Sequence, residues 1–308
     1  MVGGLSLIWG SSFLFIANGL ESFDPFTVGF LRLVLGASTL LAIPAARAVK
    51  IDRADWPRVL LLGVVWMAIP LTLFPVAEQW VSSALAGMLN GAMPLLVAAI
   101  AAVLLRRRPG RVVTFGLLIG FAGVLLIAAP SLGEGGSEVR GVVLILLALC
   151  CYGISSNVQM PLTQRYGSLG VQLRVQTVGA ALTAPIGLIQ LRHAEPHAVA
   201  VLSLLALGVL GTGLAFVVAG RLFAQVGATR GAIVTYLMPI VAVILGAVLR
   251  DDEVHLVAVG GMVLVLVGAI VVGRANGAGQ TPRSSVNDAA SADSVSPEAT
   301  ITPPSITA

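Results

Sequence analysis

Apolar runs of about twenty residues, set apart by short polar punctuation, follow one another from Met1 to Gly273. Ten can be drawn: 2–20, 26–46, 57–77, 82–105, 111–129, 140–161, 170–191, 198–220, 228–249 and 255–273. An α-helix needs roughly twenty predominantly apolar residues to cross the hydrocarbon of a bilayer. The pattern therefore predicts an all-α integral membrane protein with ten transmembrane helices. Proline stands at or beside the first turn of several runs, as Pro25 and Pro57 do, where its missing N–H costs nothing. The first run lacks a basic leader and a small-x-small cleavage site, so it is expected to stay as a helix.

The pattern also repeats on itself. At an offset of 145, Met93-Pro94 falls on Met238-Pro239, Asn90 on Thr235, Val103-Leu104 on Val248-Leu249, Gly116 on Gly261 and Gly123 on Gly268. At 142–143, Trp9-Gly10 falls on Tyr152-Gly153 and Leu31-Arg32 on Leu173-Arg174. Leu and Val coincide by chance in apolar segments; the Met-Pro, Gly and Arg matches carry the weight. Residues 1–129 thus read as a first repeat of helices one to five, 130–139 as a linker, and 140–273 as a second repeat. Five is an odd number, so the second copy enters the membrane from the opposite side. Two inverted five-helix repeats around a central cavity are the geometry used in alternating access. Beyond Arg274 large apolar residues all but vanish, and 274–308 is expected to be a disordered cytoplasmic tail, regulatory or dispensable.

Composition fixes the solvent and charge fixes the direction. Hydrophobic residues make up 57% of the chain and charged ones 10%, against about 25% charged in soluble domains. No soluble core could bury that much apolar surface. With the N-terminus inside, 13 of the 18 Lys+Arg lie on the cytoplasmic side, the run Arg106-Arg107-Arg108 among them. Only Arg140, Arg192 and Arg250 lie outside, and Arg32 and Arg174 fall within helices. The bias predicts a multi-pass protein of the cytoplasmic (inner) membrane with both termini in the cytoplasm. Cys150 and Cys151 are neighbours in mid-helix, where adjacent side chains point apart, and the three His lie near loops. Neither a disulfide framework nor a metal site is expected. There is no Walker A sequence, HExxH or GxSxG, so neither an enzyme nor ATP-driven transport is expected.

Candidate chemistry sits where polar residues interrupt the apolar runs. Proline in mid-helix, as at Pro94 and Pro239, frees a carbonyl that lipid cannot satisfy. Asn90 and Thr235, one turn earlier, would face the same protein interior, either a wet cavity or a hydrogen-bonded helix interface. Tyr152, Ser155, Ser156 and Gln159 fall within about 100° of one another on a helix, a stripe too polar for lipid. Its first-copy counterpart, with Trp9 and Ser12, is more apolar. A pocket with one aromatic wall and one polar wall suits a small amphiphile. Arg32 and Arg174 either snorkel to the interface or act inside as ion-pair or anion-attracting groups. Glu78 reads as a solvated interface residue or as a site for a proton or cation. No acid lies deep in a helix, so proton coupling lacks an obvious carrier.

With these residues in place, the chain resembles EamA-type transporters of the drug/metabolite transporter superfamily across both copies. Trp9-Gly10-Ser11-Ser12-Phe13, Pro25-Phe26 followed by Phe30-Leu31-Arg32, and Ser83-Ala84-Leu85-Ala86 running to Pro94 resemble the first family repeat. Val226-Gly227-Ala228-Thr229 through Tyr236-Leu237-Met238-Pro239 resembles the second. The resemblance implies ten helices in two inverted repeats, with helices one to four and six to nine around the cavity and five and ten peripheral. It also implies export or exchange of amino acids and other metabolites. The family's Gly-Glu pair after helices four and nine has Glu253 as a counterpart in the second copy, but Arg106-Arg107-Arg108 in the first.

The expected function is secondary transport of a small metabolite, an amino acid or similar amphiphile, outward across the cytoplasmic membrane. The competing expectation is a non-transporting scaffold or sensor that kept the fold. A channel would show more polar positions along several helices. The expected substrate contacts are Trp9, Ser12, Asn90, Tyr152, Ser155, Gln159, Thr235 and Tyr236, with Pro94 and Pro239 as helix kinks. The expected partners are the small-molecule substrate and membrane lipid, with no nucleic acid, cofactor or metal, for a monomer or homodimer.

Overall fold

The structure is a computed structural model and describes residues 1–106, 108–132, 137–231 and 233–278. Among these residues every regular element is helical. The chain opens with α1 (Val2–Gly10) and α2 (Ser12–Leu20), one run interrupted at Ser11. Helix α3 (Pro25–Leu41) starts sharply. The Asp24 carboxylate accepts the Phe26 N–H at 2.9 Å, and Pro25 fills the first turn. It stops short of the predicted residue 46, because Ile43 precedes Pro44 and is extended, as pre-proline residues tend to be. A short α4 (Pro44–Ala48) follows.

The third run is built from a turn at Arg53–Asp55, α5 (Trp56–Leu62), a π-helical stretch Gly63–Ala68 and α6 (Ile69–Ala77). Helices α7 (Ser83–Asn90) and α8 (Met93–Leu104) meet at 42°. Then come α9 (Arg111–Ala128), α10 (Ser137–Tyr166) and α11 (Ser168–Leu191). Next is α12 (Ala198–Leu205), which passes through a second π-helical stretch, Ala206–Leu214, into α13 (Ala215–Gly231). The chain ends in α14 (Ile233–Leu249) and α15 (Leu256–Ala278). Helix α15 thus continues beyond the predicted start of the tail at 274, and the rest of the expected tail, 279–308, lies outside the described residues, as do linker positions 133–136.

Among the described residues six helical runs are long and apolar enough to cross a bilayer, or seven if the bent pair α7–α8 is one span. Helices α3 and α14 are only 17 residues long. Helix α11 has 24 but carries Gln172 and Gln176, 1% and 0% exposed, on its inner face.

The packing is inside-out relative to a soluble bundle. Helix α9 exposes Phe115, Leu118 and Leu125 and buries Gly116, Gly120 and Gly123. Large apolar residues outside and small ones at the seam are what lipid as solvent requires, because close backbone approach replaces the hydrophobic drive between helices. The seam is with α15, which runs antiparallel to α9. A Cβ on Gly116 would lie 3.0 Å from the Gly268 carbonyl, and one on Gly123 2.5 Å from that of Gly261.

Other close approaches come in matched pairs. Gly63 packs on Val178 and Gly208 on Leu35; Gly10 packs on Met238 and Val241, and Gly153 on Leu96 and Ile100. Gly36 meets Gln176 and Thr212, while Gly179 meets Leu33 and Met67. Helix α3 lies between α11 and the second π-helical stretch, and α11 lies between α3 and the first.

The connections gather at two ends, named here by Asp24 and Asp55. At the Asp24 end, the Asp252 carboxylate accepts from the Ser83 hydroxyl (2.7 Å) and the Ala84 N–H (2.9 Å), so it caps α7 together with Ser82. At the Asp55 end, the Arg174 guanidinium donates to the carbonyls of Ala46 (2.5 Å), Arg47 (3.0 Å) and Val49 (2.6 Å). These carbonyls lie at and just beyond the end of α4, where a cation is favoured. Arg174→Ala should therefore lower the melting temperature in detergent by more than Arg53→Ala does. An equal shift would show that the α4 turn holds without it.

Candidate functional site

Two aromatic groups stand inside the bundle. Trp9 on α1 donates its indole N–H to the Gly211 carbonyl at 3.0 Å and meets Phe216 edge-on at 5.6 Å. Trp66, from the first π-helical stretch, meets Phe216 at 5.7 Å. Ser12 is buried beside Gly211 and donates to the Ile8 carbonyl, so Trp9 and Ser12 do come together. In the second group Tyr152 stacks on Phe74 at 6.3 Å, and Phe74 meets Phe13 at 5.8 Å.

The remaining predicted residues divide. Ser155 and Ser156 both return their hydroxyls to the Tyr152 carbonyl, at 2.9 and 2.8 Å, a bond within their own helix. Asn90 is 4% exposed at the end of α7, just before the break, and makes no side-chain hydrogen bond to another described residue. Gln159 and Thr235 are half-buried and likewise unbonded through their side-chain polar atoms among the described residues. Tyr236 is engaged elsewhere, since its hydroxyl donates to the Ala269 carbonyl of α15 at 3.2 Å. Pro94 sits in the first turn of α8, past the bend, whereas Pro239 lies inside an α14 that runs on as one helix. The two prolines thus match in sequence and differ in effect.

A buried polar cluster joins Arg32 to Thr212 and Gln176, two residues the sequence did not single out. Within the second π-helical stretch, the Thr212 hydroxyl donates to the Leu207 carbonyl, five residues back, at 2.9 Å. It accepts the Arg32 Nε–H at 2.8 Å, and the Thr212 carbonyl accepts from Gln176 at 2.9 Å. A π-helical stretch turns backbone groups out of the regular ladder, and such stretches recur at functional sites. Here Trp9, Arg32 and Gln176 all attach to it. The sequence signals were modest: Gln172 and Gln176 four apart on one face of an apolar run, and Thr212 between two glycines.

Arg32 takes the internal alternative left open for it, at 8% exposure, whereas Arg174 binds carbonyls at the Asp55 end. The Nη1 and Nη2 groups of Arg32 have no hydrogen-bond partner among the described residues. Glu78 departs from the expected solvated position. It caps α6 one residue beyond the span ending at Ala77, and both carboxylate oxygens are enclosed without a hydrogen-bond partner. Burial holds its carboxyl well above the usual carboxylate range, opposed by the positive charge of Arg32. Phe74, one turn earlier on the same face of α6, explains why Glu78 points inward.

Each end has a cavity and ion pairs; at the Asp55 end a cavity of about 440 Å³ is lined by Leu41, Arg47, Trp56 and Arg174, among others. At the Asp24 end a cavity of about 670 Å³ is lined by Glu21, Asp24, Glu78, Gln79, His193 and Arg250, among others. At its rim Arg250 bonds Glu21 at 2.5 Å and Asn18 at 2.8 Å, and His197 lies 3.7 Å from Glu21. None of the eight predicted contact residues lines this cavity. At the Asp55 end, Asp55 accepts from Arg165 (2.8 Å), Arg58 (2.9 Å) and the Tyr166 hydroxyl (2.8 Å), while Arg165 also reaches Asp52 at 2.6 Å. These bonds tie the start of the third run to the end of α10.

Fold, packing and polar interior define a multi-pass helical membrane protein. The model of the EamA-like transporter family matches residues 1–129 and 139–274, and the chain belongs to that family. It is similar to an Archaeoglobus fulgidus protein named only as an uncharacterized transporter, 23% identical over 86% of this chain and 95% of the other. YdfC of Bacillus subtilis, also named an uncharacterized transporter, is 27% identical over 84% and 85% of the two chains. YedA of Escherichia coli, named an uncharacterized inner membrane transporter, is 24% identical over 85% and 87%. A crystal structure at TM-score 0.65 and 22% identity covers 91% of this chain and 97% of its own, a likeness of fold. Family and relatives alike support transport as the function.

Proposed function

We propose that the protein is a secondary transporter of a small metabolite, an amino acid or similar amphiphile, moved outward across the cytoplasmic membrane by alternating access. In this reading the ten helical runs all span the membrane, as two inverted repeats at 1–129 and 140–273 joined by the linker 130–139. The observation that carries it is the matched packing: Gly63 on Val178 answers Gly208 on Leu35, and Gly116 on Gly268 answers Gly261 on Gly123. Each contact maps onto its partner when the two copies are exchanged, as a two-fold axis in the membrane plane would require. The short α3 and α14 and the polar inner face of α11 account for the lower number of runs that hydropathy alone selects.

Both termini, the Asp55 end and Arg106 to Arg108 are then cytoplasmic, and the Asp24 end faces outward. The larger cavity at the Asp24 end and the bonded cluster at the Asp55 end fit an outward-open state. The substrate site lies between them, with Trp9 and Tyr152 giving flat contact area. Ser12, Asn90, Ser155, Gln159, Thr235 and Tyr236 supply hydrogen bonds, and Pro94 and Pro239 shape the helices beside them. In the carrier cycle Ser155 and Tyr236 exchange their present partners for the substrate.

Counterflow by the purified protein in liposomes, screened with a metabolite mixture, tests the function; exchange of no component would favour a scaffold or sensor. Labelling of a cysteine at position 108 by an impermeant reagent from outside the cell would overturn the orientation. Asn90→Ala and Gln159→Ala should each weaken substrate affinity roughly threefold to tenfold, the scale of about 0.5–1.5 kcal/mol for one neutral hydrogen bond. Unchanged uptake kinetics at normal expression would make these two residues packing contacts.

A further inference from the structure

Arginines at the Asp55 end fall into two groups. Arg58 and Arg165 are matched to the carboxylates of Asp55 and Asp52. Arg47 and Arg174 instead line the cavity of about 440 Å³, and none of the described residues lining it is acidic. Arg47 is exposed, and its guanidinium has no hydrogen-bond or ion-pair partner among the described residues. Arg174 donates through Nη1 and Nη2 to the carbonyls of Ala46, Arg47 and Val49, which leaves its Nε–H unused among the described residues. Carbonyls satisfy donors but carry no net charge, so both cations stay uncompensated. The rest of the groove is largely apolar and opens outward. Leu41, at the end of α3, is 54% exposed, and Trp56, near the start of the apolar run Arg53–Ala77, is 38% exposed. Thr177 and Val178 of α11 form the wall between them and Arg174. An aromatic side chain beside cations at the start of a span marks the boundary between hydrocarbon and headgroups.

We propose that this groove binds one anionic phospholipid, its phosphodiester on Arg47 and the Nε–H of Arg174 and an acyl chain against Leu41, Trp56 and Val178. Guanidinium presents its N–H groups in the fork that phosphate oxygens accept, and basic pockets between membrane helices attract anionic headgroups. A soluble anion would answer the two arginines and leave Leu41 and Trp56 uncovered. An apolar face of a second copy would cover those two and leave the arginines without counter-charge. A phospholipid meets both needs at the depth where the groove lies. It would also join the end of α3, the α4–α5 connection and α11, which are already held together there by Arg174. The inference needs the membrane setting that fold and family establish, and neither the direction of insertion nor the transport reading.

The test titrates the full-length protein, purified in detergent, with phosphatidylglycerol and with phosphatidylcholine of the same acyl chains. Native mass spectrometry reads the lipid-bound fraction. Phosphatidylglycerol should bind roughly tenfold or more tightly than phosphatidylcholine, the scale of a charge-assisted hydrogen bond. Arg47→Gln should remove most of that preference. Arg53→Gln removes the same charge at the same end, outside the groove, and should keep it. Thr177→Trp fills the groove without changing its charge and should weaken phosphatidylglycerol by a similar factor. All three positions are exposed, so the variants keep the fold, and Arg174 is left intact because it holds the α4 turn. Glycerol 3-phosphate, the soluble headgroup anion, should not displace the lipid at equal concentration. Equal retention of the two lipids, equal loss in Arg47→Gln and Arg53→Gln, or unchanged binding in Thr177→Trp would each overturn the proposal. Displacement by glycerol 3-phosphate would assign the groove to a soluble phosphate instead. A dimer that Thr177→Trp turns into a monomer, read by light scattering, would assign it to a second copy; either result removes the lipid site.

Discussion

Leucine at Gly123 should pull α9 away from α15 and leave a protein that melts well below the wild type in detergent. A side chain there starts 2.5 Å from the Gly261 carbonyl and 2.7 Å from the Val265 N–H. Both are backbone atoms and cannot rotate aside. The reciprocal contact is as close, with a Cβ on Gly261 2.6 Å from the Gly123 carbonyl. The helices must separate, and the loss extends along the seam to Gly116 and Gly268. Overpacking of a well-packed core costs about 1–3 kcal/mol, and a contact with rigid backbone on both sides belongs at or above the upper end. Gly260→Leu is the control, because a Cβ there meets nothing within 4 Å. It adds the same side chain one residue from Gly261 and should melt close to the wild type. Equal melting of Gly123→Leu and Gly260→Leu, read by fluorescence-detected gel filtration after heating, would mean that the seam is not held by close approach.

The small-residue seam was legible in the sequence because its signal is local: Gly116, Gly120 and Gly123 recur along one helix face, and the repeat matched two of them to Gly261 and Gly268. The extent of most helical runs was legible for the same reason, hydropathy being a property of consecutive residues. Burial direction was not. The sequence placed Glu78 at the end of a run, which gives its depth along the helix but not which way it faces. The structure turns it inward with Phe74. Arg32 could be read as internal or snorkelling because its partner, Thr212, is 180 residues away. The π-helical stretches at Gly63–Ala68 and Ala206–Leu214 left no mark, since an extra residue in a turn is set by what packs against it. Helix α11 shows the converse difficulty: its buried glutamines lower the hydropathy of a helix whose polar side chains are turned away from lipid. Of the candidate site, Trp9 with Ser12 was legible as a motif, whereas the engagement of Tyr236 with Ala269 required the position of α15.

Replacing Asp55 by Asn should open the Asp55 end. Asp55 is the shared acceptor of Arg58, Arg165 and Tyr166, and its side chain is 6% exposed. Asparagine keeps the shape and can still accept from one donor, but it removes the charge that holds two guanidinium groups at once. Arg165 would keep only Asp52, a pair in which both side chains are more than half exposed and which water screens well. Just inside the cluster, Val59 and Leu162 are 0% and 1% exposed. With the Asp55 end cytoplasmic, as proposed, a cysteine introduced at Val59 reports opening through its reaction with an impermeant maleimide in inside-out vesicles. Labelling should be several-fold faster with Asp55→Asn than in the cysteine variant alone, while Asp52→Asn should change it less. The distinguishing measurement is at the other end. Glu21 is bonded by Arg250 and approached by His197 at the rim of the Asp24-end cavity. If the two clusters close opposite ends of one alternating carrier, Glu21→Gln favours the state open at the Asp24 end and slows labelling at Val59, although it lies across the membrane. Mere local loosening predicts no effect of Glu21→Gln on Val59. Opposite signs at one reporter would establish that the ends are coupled, and identical labelling in all three backgrounds would remove both clusters from the transport cycle.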